Sequence, residues 1–223
     1  MAKLTVEELC KGFKDIYTPA ITDILDEYGL RNQWLGPDIK PLAPNMRAVG
    51  PAFTMRWIND PVPLTEEERR YIGKVMDELG PLMIPVIDTG KAPDSGYWGE
   101  LMCTLCLENG INGAVIDGGV RDPDYILKLG VFNIFHTFIC PLEANSRSRL
   151  ESYQKPIFIN GVSIRPGDFI IAEINGVVVI PQEIVHEVYE KAQGIIAEES
   201  EKRKMIREGY SYDEILDKLG GGL

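Results

Sequence analysis

The amino-acid sequence predicts an α/β protein, and three observations lead there. Short apolar runs rich in Val and Ile alternate with stretches of helical period, the pattern of strands joined by helices. The runs at 82–88, 113–117 and 131–139 are almost continuously apolar, as strands covered on both faces are. Between 157 and 180 turn dipeptides recur every few residues, which marks antiparallel hairpins. With no internal repeat and no low-complexity linker, residues 1–223 are expected to form a single domain.

The elements follow in order. A helical segment is expected at about 5–29, broken near Thr18-Pro19, where Thr18 caps a second helix and Gly29 closes it. Asp23 and Asp26 fall one turn apart on that helix, on a solvated face. Residues 35–47, rich in Pro and Gly, read as a loop. Residues 47–56 read as a strand, a Gly50-Pro51 break and a second strand. A proline-broken turn follows at 59–65 and a charged helix at 66–79. Pro85 marks the 82–88 strand as an edge or a bulge. Residues 89–97 read as a polar loop and 98–109 as a helix capped by Gly110. A short helix at 124–129 ends at Gly130. In the hairpin region Asn160-Gly161 and Pro166-Gly167-Asp168 make tight turns, and Asn175-Gly176 is a hairpin signal. A C-terminal helical arm spans about 182–219: a long amphipathic helix ended by Gly209, then a last turn or two from Ser211. Gly220 to Gly222 read as a loose tail.

Composition narrows the class. The chain has 223 residues, 44% hydrophobic and 26% charged, which is ordinary for a globular protein. Its net charge of −11 argues against unspecific binding to nucleic acid or an anionic membrane. No run of 18 apolar residues suggests a membrane span, and the N-terminus reads as a helix start rather than a signal peptide, so a cytoplasmic location is expected. Cys103 and Cys106 form a CxxC with no second CxxC or CxxH to complete a tetrahedral metal site. Their spacing fits one helix face, and they read as core or surface thiols. His136 lies in an apolar strand and reads as a core or interface histidine, His186 as a surface one. No G-x-S-x-G, P-loop or G-x-G-x-x-G occurs, and no lysine sits where a Schiff base would need it.

The chemistry concentrates in residues 114–122, AVIDGGVRD. The apolar run ends in Gly118 and Gly119, where the chain turns sharply, and Arg121 and Asp122 follow. They stand at the carboxyl end of a strand, where open α/β sheets place ligands. Arginine offers a planar fork to a carboxylate, and aspartate a hard oxygen to a divalent cation. Two readings stay open on these residues alone: a metal-assisted site for a small acid, or an Arg–Asp ion pair that pins a loop. The helix beginning near Gly99 adds free N–H groups and the positive end of a dipole, which bind anions. Together these groups would stabilise an enolate, as breaking a C–C bond beside a carbonyl requires.

Gly99-Glu100-Leu101-Met102, the run from Val115 to Asp122, Pro166-Gly167-Asp168 and the run from Asn175 to Pro181 resemble, in this order, the RraA-like family. That family includes class II 4-hydroxy-4-methyl-2-oxoglutarate/4-carboxy-4-hydroxy-2-oxoadipate aldolases and oxaloacetate decarboxylases. The resemblance runs from about Thr18 to the Gly209 region and rests most on the Arg121-Asp122 motif. It implies a swivelling β/β/α domain with a long C-terminal helix, assembled into trimers or hexamers with sites between subunits. It implies that Asp122 holds Mg²⁺ or Mn²⁺, that Arg121 binds the keto-carboxylate of a small 2-oxo acid, and that Leu101 and Met102 lend backbone amides to the pyruvoyl end. Glu100 would join the hydration shell of the metal. Glu199 resembles the acidic residue that a neighbouring subunit lends to the metal waters, and reads equally as an i,i+4 partner of Arg203. The implied activity is metal-dependent release of pyruvate by aldol cleavage or decarboxylation. The alternative is a non-catalytic regulator that binds RNA-degradation machinery. Three departures stand out. Tyr125 replaces an acidic residue found in the aldolases, Glu100 stands where aspartate is usual, and 59–79 is longer than usual.

Overall fold

The computed structural model describes residues 3–92 and 94–220. Two helices open the chain, α1 (Val6–Gly12) and α2 (Thr18–Glu27), joined through a 3₁₀ turn at Phe13–Asp15. Then come β1 (Lys40–Pro41), β2 (Ala48–Asn59), α3 (Glu66–Asp77), β3 (Ile84–Asp88), β4 (Gly96–Trp98), α4 (Glu100–Glu108), β5 (Gly113–Val120), α5 (Pro123–Leu129) and β6 (Asn133–Ile139). After a second 3₁₀ turn at Ala144–Ser146 follow β7 (Ser148–Tyr153), β8 (Ile157–Ile159), β9 (Val162–Ile164), β10 (Phe169–Glu173), β11 (Gly176–Ile180), α6 (Val185–Arg207) and α7 (Tyr212–Leu219).

One nine-stranded sheet organises the molecule, in the order β1-β6-β5-β3-β2-β10-β11, with β4 on β5 and β7 on β2. Its centre, β2-β3-β5-β6, is parallel, and its flanks are antiparallel. The mixed α/β class and the long C-terminal helix are as the sequence predicts. Both faces of the sheet are covered, and the period-2 alternation of strands sorts residues between them. In β10, Phe169 and Ile171 join α1, α2 and α6 in one core, while Ile170 and Ala172 join α3, α4 and α5 in the other. In β11, Val178 and Ile180 face the first core, and Val177 and Val179 the second.

Several elements differ from the sequence expectation. Residues 48–59 are one strand. The Gly50-Pro51 step is a handover, pairing with β10 up to Pro51 and with β3 from Ala52, so the missing N–H of Pro51 falls between ladders. Pro85 sits in a central strand, neither edge nor bulge. Its pairing with β5 starts only at Val86, so no bond to that neighbour is lost. Gly96–Trp98 is a strand, and the helix that follows starts at Glu100, not at residue 98. The loop at 35–47 contains β1, which pairs with β6. The last hairpin turns at Ile174-Asn175, with Gly176 already paired to Glu173. The Asn160-Gly161 turn forms as expected, both residues left-handed at φ 51° and 83° between paired Ile159 and Val162. The Pro166-Gly167 turn also forms, with Gly167 at φ 87° and Asp168 N–H donating to Arg165 O. Of the expected glycine tail, Gly221 and Gly222 lie outside the described residues, as does Pro93 in the expected polar loop. No helix among the described residues is long and apolar enough to cross a membrane.

Candidate active site

The parallel centre of the sheet fixes where the motif residues fall. Strand β5 is buried along its whole length, and its carboxyl end delivers Arg121 and Asp122 beside the head of α4. The link is direct: Arg121 N–H donates to Trp98 O at 2.9 Å, tying the end of β5 to β4 one residue before Gly99. Gly119 lets β5 and its neighbour approach this closely, since a Cβ there would lie 2.2 Å from Ser95 O.

Asp122 occupies the left-handed region, φ 57° and ψ 41°, at the head of α5, with Pro123 next. Aspartate tolerates that conformation better than most side chains. Its carbonyl accepts the N–H groups of Tyr125 and Ile126 at 3.0 Å and so starts α5. The side chain is left to face outward, and Arg121 Nε lies 3.4 Å from its Oδ2. Both side chains stay partly open, 35% exposed for Arg121 and 43% for Asp122. The ion pair of the second sequence reading therefore forms, with both side chains still partly open to the cleft.

Helix α4 has Gly99 as its N-cap, with no side chain capping it. The first intrahelical bond is made by Cys103 N–H to Gly99 O, so the N–H groups of Glu100, Leu101 and Met102 have no partner inside the helix. They form an anion cradle at a dipole terminus. A Cβ on Gly99 would sit 2.8 Å from Asp122 Oδ2 and 3.0 Å from Arg121 Cγ, so glycine sets the contact between the cradle and the Arg-Asp pair.

Gly99, Leu101, Met102, Arg121 and Asp122 line one cleft of about 280 Å³. The structure thus brings together five of the residues picked from the sequence. Glu100 stands at the same helix head, but its carboxylate accepts the Thr104 hydroxyl at 2.6 Å, and it is not in the cleft lining. Glu199 lies on α6, bonded to the Tyr17 hydroxyl and to Arg203, in another cleft of about 430 Å³ that shares no lining residue with the first. Burial first, and then the bond to Glu199, push the Tyr17 phenol up to about 12.

Sequence reasoning missed the opposite wall: Trp57 from β2, Arg69 from α3, and Glu143 and Asn145 before β7. Arg69 donates from Nη1 to Leu64 O at 2.6 Å and has no carboxylate within ion-pairing distance among the described residues. Trp57 Nε1 and Asn145 Oδ1 are buried in this wall, a donor and an acceptor without protein partners among the described residues. Only water or a ligand can satisfy them.

Other candidates resolve simply. Cys103 and Cys106 are buried free thiols, each pushed up to about 12 mainly by burial, which fits their reading as core thiols. His136 is partly buried in β6, and desolvation lowers its pKa, favouring the neutral ring. His186 is half-buried rather than fully on the surface, and Asp23 and Asp26 are exposed as expected.

Comparison with known proteins gives a consistent relationship. A family model described as RraA-like, Aldolase/RraA, matches residues 18–179. Protein DlpA of Legionella pneumophila is 32% identical over 94% of this chain, which spans about a third of DlpA. A protein of Halalkalibacterium halodurans, named provisionally as a 4-hydroxy-4-methyl-2-oxoglutarate aldolase, is 32% identical over 87% of this chain and 86% of its own. Among solved structures, one titled as novel cellulases from gut-associated microbes superposes with a TM-score of 0.85 at 30% identity, over 90% of this chain and 89% of that one. Streptomyces coelicolor RraAS2, titled an unusual member of the RNase ES inhibitor RraA protein family, superposes at 0.78 with 24% identity, over 91% of this chain and 98% of its own.

Proposed function

This chain belongs to the RraA-like family, and on that premise we propose that it is a divalent-metal-dependent lyase that releases pyruvate. Its substrate is a 4-hydroxy-2-oxo acid cleaved by retro-aldol reaction, or oxaloacetate that is decarboxylated. The observation that carries the proposal is the meeting of the free helix N–H groups of Leu101 and Met102, one arginine and one outward-facing aspartate around a single cleft. A cleft of about 280 Å³ suits a small acid rather than a polysaccharide.

The donor set fits a hard cation. Among the described residues no three His, Cys, Asp or Glu side chains converge, so a chelating zinc cage is not offered. One carboxylate at an open rim suits Mg²⁺ or Mn²⁺, which keep most of their waters. Asp122 would hold the cation, with Glu100 and the Glu199 of a neighbouring copy reaching its waters. Bound there, a cation polarises the 2-keto group as a Lewis acid.

The remaining steps belong to the chain. The Arg121 fork and the N–H groups of Leu101 and Met102 hold the keto-carboxylate and fix its orientation. As the C–C bond breaks, charge develops on the enolate oxygen, and Arg121 is already aimed at it, so little reorganisation is needed. The 4-hydroxyl proton would pass to water in the cleft and from there to the enolate carbon, giving pyruvate, with Glu100 able to steer that water through the oxygen that Thr104 does not bond. Arg69, the unpaired cation on the far wall, faces the part of the substrate beyond C4. In 4-hydroxy-4-methyl-2-oxoglutarate, the substrate named for the Halalkalibacterium relative, that part ends in a carboxylate.

The deciding experiment measures pyruvate released from oxaloacetate and from 4-hydroxy-4-methyl-2-oxoglutarate, with Mg²⁺ or Mn²⁺ and then with chelator, beside Asp122→Asn. Turnover that disappears with chelator and falls at least 100-fold in the variant supports the lyase. Turnover no faster than free metal alone would remove it and leave a binding role.

A further inference from the structure

The largest of the described clefts lies at the other end of the sheet. It holds about 600 Å³ between α1 and the amino ends of the parallel strands. Asn112 precedes β5, and Arg121 follows it, so the two clefts are separated by that strand of eight residues, about 26 Å at the usual rise.

Three cations line this cleft: Lys11, Lys14 and Arg47. Lys11 and Lys14 are three residues apart at the end of α1 and in the turn that follows, and both are exposed. Among the described residues none of the three has a carboxylate within ion-pairing distance. That is unusual company in a chain of net charge −11. Arg47 is built in rather than free. Its N–H donates to Asn133 Oδ1 at 3.0 Å, and its Nη2 donates to the carbonyls of Phe13 and Ile16. Those bonds lock the guanidinium but neutralise no charge. Its Nε is buried without a protein partner, and Nη1 has none either among the described residues. Burial lowers its pKa, while Asp15 and Glu173 favour the charge from beyond bonding distance. Cys10, Val49 and Leu82 supply an apolar floor, and Glu7 is the one carboxylate in the lining.

We propose that this cleft is a second binding site, distinct from the lyase cleft, for a phosphate group, free or carried on a small metabolite. Two ammonium groups and one fixed guanidinium line the same cleft and offer donors to a compact oxyanion. The volume beyond them leaves room for a small organic body on the apolar floor.

The test uses the full chain and thermal melts, because a ligand that binds only the folded state raises Tm with concentration. The probes are inorganic phosphate and glucose 6-phosphate, each against chloride at matched ionic strength, with affinities from calorimetry. The proposal expects a rise in Tm in the wild type and in Arg121→Ala. It expects at least a tenfold loss of affinity in the double variant Lys11→Gln/Lys14→Gln, whose exposed positions leave the fold intact by circular dichroism. Glu7→Gln, which removes the repelling charge, should bind several-fold tighter. Tighter binding of glucose 6-phosphate than of phosphate identifies a phosphorylated metabolite, and equal binding identifies the free ion. No shift beyond chloride overturns the proposal. So does loss of the effect in Arg121→Ala, which would place the anion in the lyase cleft, or retention of full affinity in the double lysine variant.

Discussion

At the scale of single residues, the site depends on what is missing from Gly99. Its backbone is extended, so alanine there brings no conformational strain, only a Cβ against Arg121 and Asp122. Those contacts are with side chains that can move aside, and the fold should survive. Gly99→Ala is therefore expected to keep Tm within a few degrees while kcat/KM falls by roughly 10- to 100-fold, since small displacements of positioning groups are costly. Wild-type kinetics in that variant would mean that the Arg-Asp pair is not held by this contact. Gly99, Leu101, Met102, Arg121 and Asp122 were legible beforehand because they lie in two motifs joined by one helix and one strand. Trp57, Arg69 and Asn145 were not. Each sits in a separate segment with no motif of its own, and only the sheet order brings β2, α3 and the turn before β7 to the same cleft.

At the scale of elements, the fold was legible where one period dominates. The long C-terminal helix, the helix at 66–77 and the Asn160-Gly161 hairpin all emerge as expected. β4 was hidden because three residues carry too little alternation to compete with the helix that follows. β7 was passed over although its residues do alternate in burial at first, because charged and polar side chains occupy the open face. One joint between elements makes a pH prediction. Glu173, at the end of β10, accepts hydrogen bonds from the Thr18 N–H and hydroxyl at the head of α2 and from the Asn175 amide. Burial alone would raise its pKa, but these donors outweigh it, and the net shift is downward from 4.5. The folded state thus holds this proton less tightly than the unfolded chain. The joint stabilises fully above the ordinary carboxyl range and fades as pH falls through the lower folded value. Glu173→Gln should cost about 1–3 kcal/mol at pH 7, as charge-assisted bonds to buried donors do. In denaturant titrations the gap to wild type should narrow as pH falls below the ordinary carboxyl range. A gap independent of pH would show that packing, not charge, holds α2 to β10.

At the scale of the whole molecule, the two helices that follow the Gly99 and Asp122 corners are unexpectedly apolar on their exposed side. Leu101 is 73% exposed and Tyr125 63%, with Leu105 and Leu127 also exposed on the same packed pair of helices, α4 and α5. Grouped apolar exposure of this kind marks an interaction surface. On the proposed reading that surface meets another copy of the chain, which also lends Glu199. Light scattering after size exclusion should then report three or six chains, and Leu105→Glu should shift the protein toward smaller species and lower its turnover together. A wild-type monomer with full activity would refute the shared site.

The left-handed backbone at Asp122 bears on how relatives should be judged. The residue serves a turn, whatever part the proposed reaction gives it, because few side chains sit comfortably at φ 57° and its carbonyl starts α5. A descendant that abandoned catalysis would still be pressed to keep aspartate, asparagine or glycine at that corner. Arg121 has no positive φ and answers to no such demand. Across a lineage, then, the arginine is the more faithful record of whether the chemistry has been retained, and an aspartate without it is a vestige of architecture.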